Sequence, residues 1–196
     1  MTPCTYKVVD NFLDDFEAFD TWAREQEYTG QESPHDGVVY PDLVIDLPAS
    51  VMQEVAEKIG ATTFLPFLRL STTNTAVAPH QAHNDITHGD YTFLLYMQDG
   101  PGGTSLVKHK ELDMHDGLTT ELEEKVWNRD TNNPDKWDVT HLFKMKANRA
   151  VWYPSNYMHR AEPIGGFGEG TQDGRLVLTL FFNKGEEDGK GNTWDC

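Results

Sequence analysis

The chain has 196 residues, 38% of them hydrophobic, and a formal net charge of −16. That length suits one domain with a single substantial core. The acidity argues against a duplex nucleic-acid surface, and no run of 18 apolar residues offers a membrane span. The opening Met1-Thr-Pro-Cys-Thr lacks the basic and apolar regions of a signal peptide, and Cys4 and Cys196 define no disulfide framework. A cytoplasmic location is therefore expected, with the excess negative charge serving solubility.

Taken in chain order, Tyr6–Val9 reads as a short strand, followed by a helix from about Asp14. Asp14 and Glu17 form a capping-box pattern there, and Phe16, Phe19 and Trp22 make one apolar stripe. A second helix is expected near Pro48–Ile59, with Val51, Val55 and Ile59 four apart and Gly60 as its stop. From Thr62 the pattern turns to strands: Phe64–Ser71, Thr75–His83, Tyr91–Met97, Thr104–His109, Arg149–Tyr153 and Arg175–Phe182. They are short, rich in β-branched and aromatic residues, and separated by Gly, Pro, Asn or Asp.

The fold class expected is α+β: a double-stranded β-helix (jelly-roll) core with N-terminal helices packed on the major sheet. Residues 1–61 would be the strand and helix support, 62–183 the core, and 184–196 a polar tail. An insertion at 111–140 breaks the strand rhythm with a short helix capped by Thr120 and Glu123. An excursion of that size reads as a lid or binding loop, with a merely structural excursion as the alternative.

The chemistry sits in five residues. His83-Asn84-Asp85 is followed by His159 and then by Arg175, at the head of Arg-Leu-Val-Leu-Thr-Leu-Phe-Phe. Two histidines and one carboxylate make the facial triad that holds non-haem Fe(II) and leaves coordination positions open. An arginine opening a late apolar strand can clamp a second carboxylate. The His-x-Asp tripeptide alone says little, because chance supplies roughly 0.7 of them in a chain with this many His and Asp. A second one, His88-Gly89-Asp90, abuts Tyr91–Met97 and reads as the turn into that strand. In an extended strand His83 and Asp85 would share a face. Arg160 competes with Arg175 for the clamp, but beside His159 it would face the other way. His80, His88, His109, His115 and His141 read as structural or surface residues, while Gln81 and Trp152 are candidates to line the pocket.

The order of these motifs resembles the prolyl-4-hydroxylase-like branch of the 2-oxoglutarate/Fe(II)-dependent oxygenases, over roughly residues 62–183. The matching parts are the His-x-Asp, Tyr91–Gln98 with Gly102-Gly103-Thr104-Ser105, Ala150–Pro154 leading to His159 and Pro163-Ile164, and Gly174–Asn183. The resemblance implies that His83, Asp85 and His159 are the metal ligands and catalytic centre. It gives Arg175 the distal carboxylate of 2-oxoglutarate, with Tyr96 as a hydroxyl donor to it. Fe(II), 2-oxoglutarate as cosubstrate and O2 would then hydroxylate an unactivated C–H, in a prolyl residue of a peptide or protein, a free amino acid or another small molecule. Asp85 favours hydroxylation over halogenation, which needs a non-ligating residue there. Two features depart from the pattern: a long gap between His159 and Arg175, and Val177 where some branches carry Ser. The rival readings are a non-redox cupin-like metal enzyme and a non-catalytic jelly-roll binding module. The substrate contacts expected from 33–46 and 111–140 carry no readable motif.

Overall fold

The computed structural model describes residues 6–32, 37, 39–75, 80–112, 114, 116–118 and 120–183. Cys4, Cys196, His115 and the expected polar tail lie outside the described residues. In chain order the elements are β1 (Lys7–Asp10), α1 (Phe16–Arg24), β2 (Thr29–Glu32), β3 (Val39–Val44), α2 (Ala49–Ile59), β4 (Thr63–Ser71), β5 (Tyr91–Tyr96) and β6 (Gly103–His109). Then follow α3 (Glu121–Asp130), a 3-10 turn at Pro134–Lys136, β7 (Trp137–Lys144), β8 (Arg149–Pro154), β9 (His159–Glu162) and β10 (Arg175–Phe182).

Two antiparallel sheets face each other. The larger runs β1-β8-β5-β10-β4-β3-β2 and the smaller β7-β6-β9. Period-two alternation assigns the faces. On β10, Leu176, Leu178, Leu180 and Phe182 point outward into a core shared with Phe12, Phe19 and Ala23 around α1 and with Val55 and Ile59 of α2. Each such fully buried side chain contributes about 1.5–3 kcal/mol relative to exposure. The opposite face supplies Val177, which joins Leu94, Tyr96, Val151 and Tyr153 of the large sheet and Leu106 and Phe143 of the small one in the inter-sheet core. A third cluster, with Ala82, Val107, Trp137 and Met158, packs against Trp127 of α3. The layers are thus helices, large sheet, small sheet and α3. This is the jelly-roll architecture expected, with the N-terminal helices on the major sheet. No helix among the described residues is long and apolar enough to cross a membrane.

The structure departs from the sequence reading in several places. The expected strand Thr75–His83 is described only at Thr75 and from His80, since residues 76–79 lie outside the described residues; residues 80–85 form a loop that touches the sheet through one bridge, His83 to His159. Four strands are added. β7 holds the strand formers Trp137, Val139, Thr140 and Phe143, which the sequence reading missed; β2 contains Gly30, β3 contains Pro41 and β9 is largely polar, so these three do not read as strands by propensity. Pairing to a neighbour's ladder decides them instead. β7 starts at Trp137, so the insertion ends earlier than residue 140. The cap of α1 is Asp15, which accepts from the Ala18 N–H at 3.3 Å. Asp14 is drawn away by Lys58 of α2, at 2.6 Å. Trp152 belongs to the helix-side core and does not line the pocket.

Candidate metal centre and pocket

His83 and His159 lie directly opposite each other in an antiparallel bridge. The His83 N–H donates to His159 O at 3.0 Å and the His159 N–H to His83 O at 2.8 Å. Side chains opposite one another in such a pair share a face, which brings the two rings to 4.4 Å between centroids. Asp85 is anchored two residues on, its N–H donating to Ser155 O at 2.8 Å. One carboxylate oxygen lies 3.7 Å from His83 Nε2 and the other 3.3 Å from His159 Nε2. One ligand atom from each of the three residues lies within 4.8 Å of the others.

The surroundings orient these groups as a metal site requires. His83 Nδ1 is 3.0 Å from Gln81 O, and His159 Nδ1 is 2.9 Å from Tyr157 O. A carbonyl can only accept, so each Nδ1 carries a hydrogen and each Nε2 is the atom left for a metal. Burial opposes the charge on His159, but Asp85 outweighs it and raises that ring, so a metal would take the place of a proton there. Thr92 Oγ1 donates to Asp85 Oδ2 at 3.0 Å and lies 3.0 Å from Ser155 Oγ. Burial pushes the Asp85 carboxyl up, but His159, His83 and the Thr92 hydroxyl outweigh it and hold the group well below the usual carboxylate range. Burial, together with the neighbouring His159, lowers His83 to about 4. At neutral pH Asp85 is therefore anionic and His83 a neutral donor, the protonation states that bind a cation. His88, the alternative histidine, stacks on Phe181 in the turn before β5, with ring centroids 4.8 Å apart.

A cavity of about 540 Å3, including its open mouth, adjoins the triad through His83 and reaches Arg175, Arg69, Ser71 and Gln81. Arg175 is buried. One terminal nitrogen donates to Gly103 O at 3.2 Å and Thr104 Oγ1 at 3.4 Å, while its Nε has no hydrogen-bond partner. Arg69 Nε and Tyr153 Oη are likewise buried and unpartnered. Three of the five such side-chain atoms among the described residues therefore surround one pocket and its metal centre, the signature of donors awaiting a ligand. Tyr153 packs edge-on against His159, with ring centroids 5.1 Å apart. Tyr96 is fully buried, and its hydroxyl donates to Phe143 O at 3.1 Å; burial pushes that hydroxyl up to about 12. Arg160 is paired with Glu162 at 2.7 Å.

The long gap between His159 and Arg175 forms a rim that folds back on β4. The Phe167 N–H donates to Ser71 O at 3.3 Å and the Thr73 N–H to Gly168 O at 3.0 Å. Gly166 there has a φ of +80°, and a Cβ would lie 2.4 Å from the Ser71 carbonyl oxygen. None of the described residues of 111–140 lines the pocket. Instead α3 braces the loop carrying His83. Trp127 Nε1 and Thr131 Oγ1 donate to Ala82 O at 2.6 and 2.7 Å, and the Gln81 N–H donates to Asn132 Oδ1 at 3.0 Å.

The sequence reading missed Arg69, Thr92, Tyr153 and Ser155. Arg69 had a signal, because it alternates with Leu68 and Leu70 in an otherwise apolar strand. Thr92 and Ser155 had none, since their value lies in contacts made across the fold.

No protein-family model and no curated protein sequence matches the chain. Among solved structures the fold matches the epimerase SnoN in complex with Fe3+, alpha ketoglutarate and nogalamycin RO, covering 90% of this chain and 77% of that one, at 16% identity and a TM-score of 0.53. It also matches HygX from Streptomyces hygroscopicus with iron bound, covering 90% and 80% of the two chains, at 12% identity and a TM-score of 0.53. The chain shares the jelly-roll fold of these iron-containing proteins; its chemistry rests on its own side chains.

Proposed function

We propose that the protein is an Fe(II)- and 2-oxoglutarate-dependent oxygenase acting on an unactivated C–H bond. The observation that carries this reading is the His83–Asp85–His159 triad beside a pocket with a buried guanidinium, Arg175, whose Nε is unpartnered. A facial triad fits a divalent iron and leaves positions for the cosubstrate and O2. Bound iron would supply the activation of O2, coupled to conversion of 2-oxoglutarate to succinate and CO2, with the second oxygen atom going to the substrate.

The chain's own residues would do the rest. His83, Asp85 and His159 hold the metal through two neutral imidazoles and one carboxylate, and Thr92 fixes the carboxylate's rotation. Arg175 takes the distal carboxylate of 2-oxoglutarate, replacing water with a charge-assisted pair. Tyr153, whose buried hydroxyl has no hydrogen-bond partner and whose ring packs against His159, is the hydroxyl free to add a hydrogen bond. For Tyr96 to do so it would have to release Phe143. A non-redox cupin-like enzyme needs no buried clamp for 2-oxoglutarate, which supports the oxygenase over that rival, and an intact triad argues against a non-catalytic module.

Hydroxylation is our reading of the outcome, and prolyl peptides and free amino acids are the first substrates to screen. The neighbour SnoN is described as an epimerase, so product identity needs measuring: gain of one oxygen atom indicates hydroxylation, and unchanged mass with altered stereochemistry indicates epimerisation. The first test is anaerobic. Fe(II) followed by 2-oxoglutarate is added to metal-free protein, and a weak visible charge-transfer band is expected only with both. His83→Ala, Asp85→Ala or His159→Ala should abolish turnover while retaining the fold. Arg175→Met should weaken 2-oxoglutarate at least tenfold with metal still bound. Metal binding without any band would move the assignment to a non-redox metal enzyme.

A further inference from the structure

The outer face of the small sheet carries a second cavity, away from the metal centre. In the register of β6 with its neighbours, Leu106 stands opposite His159 and Thr104 opposite Phe143, and Leu106 and Phe143 fill the inter-sheet core. Alternation therefore turns the next row, Leu142, Ser105 and Arg160, to the outer face, with Glu162 following two residues beyond Arg160. The third cluster, with Val107, Trp137 and Met158, packs against α3 at one end of the small sheet. Elsewhere lies a groove of about 710 Å3, including its open mouth. Its walls include Val139, Leu142 and Pro163, and its polar part is Ser105, Arg160 and Glu162. Val139 and Leu142 are left exposed there. The size lies within the range of about 300–1,000 Å3 common for small-molecule sites.

The polar part is built but only half satisfied. Arg160 is buried, and its Nε donates to Glu162 Oε1 at 2.7 Å. Ser105 Oγ donates to the same oxygen at 3.0 Å. Among the described residues the hydrogen bonds of the pair end there, which leaves both terminal nitrogens of Arg160 and the other oxygen of Glu162 open. An arginine held through Nε keeps the edge formed by its terminal nitrogens, which fits one carboxylate in bidentate fashion. A glutamate with one oxygen fixed by two donors keeps the other for a further donor, and an ammonium group suits it best. The pair is neutral as a whole, so it favours neither a simple anion nor a simple cation. Its complement holds a carboxylate and an ammonium side by side, next to an apolar group for Val139 and Leu142.

We infer that this groove binds a free α-amino acid with an apolar side chain. The carboxylate lies on Arg160, the ammonium on Glu162 and the side chain against Leu142 and Val139. The site is on the opposite face of β9 from His159, so it does not depend on the oxygenase reading. Arg160 also lines the cavity beside His83, and an amino acid that fixes its terminal nitrogens fixes part of that wall.

Calorimetric titration of the full-length protein tests the site, with L-leucine, leucinamide and 4-methylpentanoate as probes. The amide lacks the carboxylate, and 4-methylpentanoate lacks the ammonium. The protein is used free of metal because an amino acid chelates metal ions by itself, so failure here leaves the reading of the metal centre untouched. Leucine should bind at least about tenfold tighter than either analogue, since each loses one charge-assisted contact. Arg160→Gln should weaken leucine by a similar factor, and Arg175→Met, on the inner side, should bind it within about twofold of wild type. Melting curves report on the folding of each variant, and the comparison of probes needs no variant at all. No binding of leucine, equal affinity for leucine and either analogue, or unchanged binding by folded Arg160→Gln would overturn the inference. Loss of leucine in Arg175→Met would overturn it too, placing the amino acid in the pocket beside the metal centre.

Discussion

The brace between α3 and the loop carrying His83 gives the sharpest prediction. Ala82 is fully buried. Its carbonyl accepts from Trp127 Nε1 at 2.6 Å and Thr131 Oγ1 at 2.7 Å, and its N–H donates to Thr131 O at 3.1 Å. The next residue is His83, whose only ladder contact is the bridge to His159. Thr131→Val removes one of the two donors at nearly constant volume, for a loss of about 0.5–1.5 kcal/mol. Adding Trp127→Phe leaves a buried carbonyl with no partner, at a cost of about 1–3 kcal/mol. The cost falls on local closure of the loop, and metal binds only the closed form. Apparent metal affinity should therefore drop by about twofold to tenfold in the single variant and further in the double. Ni(II) titration by calorimetry, with melting curves alongside, measures both effects. If the double variant melts earlier yet binds Ni(II) within twofold of wild type, α3 stabilises the fold without positioning His83, and the reasoning fails.

Three further outcomes are expected. Thr92→Val deletes the hydroxyl that orients Asp85 and should lower metal affinity by about 10–100-fold at little cost in melting temperature; an unchanged Ni(II) affinity would show that Asp85 is oriented without it. Leu178→Ala, in the fully buried middle of β10, should cost about 2–5 kcal/mol in urea unfolding, and a loss under about 1 kcal/mol would mean that the helix-side core closes over the gap. Asp130 is held at about 2 by the Arg129 guanidinium and His109 against the opposing effect of burial. Its folded pKa lies below the unfolded value of about 3.9, so its contribution is present above that value and is lost as pH falls from about 4 toward 2. The stability gap between wild type and Asp130→Asn should narrow across that window, and a gap independent of pH there would remove the carboxylate charge as its source.

The sequence by itself determined the strands that bury both faces. β5, β8 and β10 are apolar at most positions that face a core, Thr92, Arg175 and Thr179 apart, so their place and orientation follow from alternation and burial. It also carried the residue types of the metal centre, because His, Asp, His and a late Arg are an unusual set to find in that order. Strands β2, β3 and β9 were not legible. β3 contains Pro41 and β9 reads His-Arg-Ala-Glu, and only the hydrogen bonds of a neighbouring strand make such segments extended. The expectation that His83 and Asp85 lie on a regular strand failed for the same reason, since a single bridge and the anchor to Ser155 O do that work. Arg69 looked like one charge in a strand until β10 set Arg175 diagonally beside it. The role of α3 needed Ala82, 45 residues earlier than Trp127, to be brought under it. Local pattern reports what a residue prefers within its own segment. Which donor meets which acceptor across the sheets is decided only when the chain closes, because a hydrogen bond or a metal site needs two or three distant groups within a few ångströms.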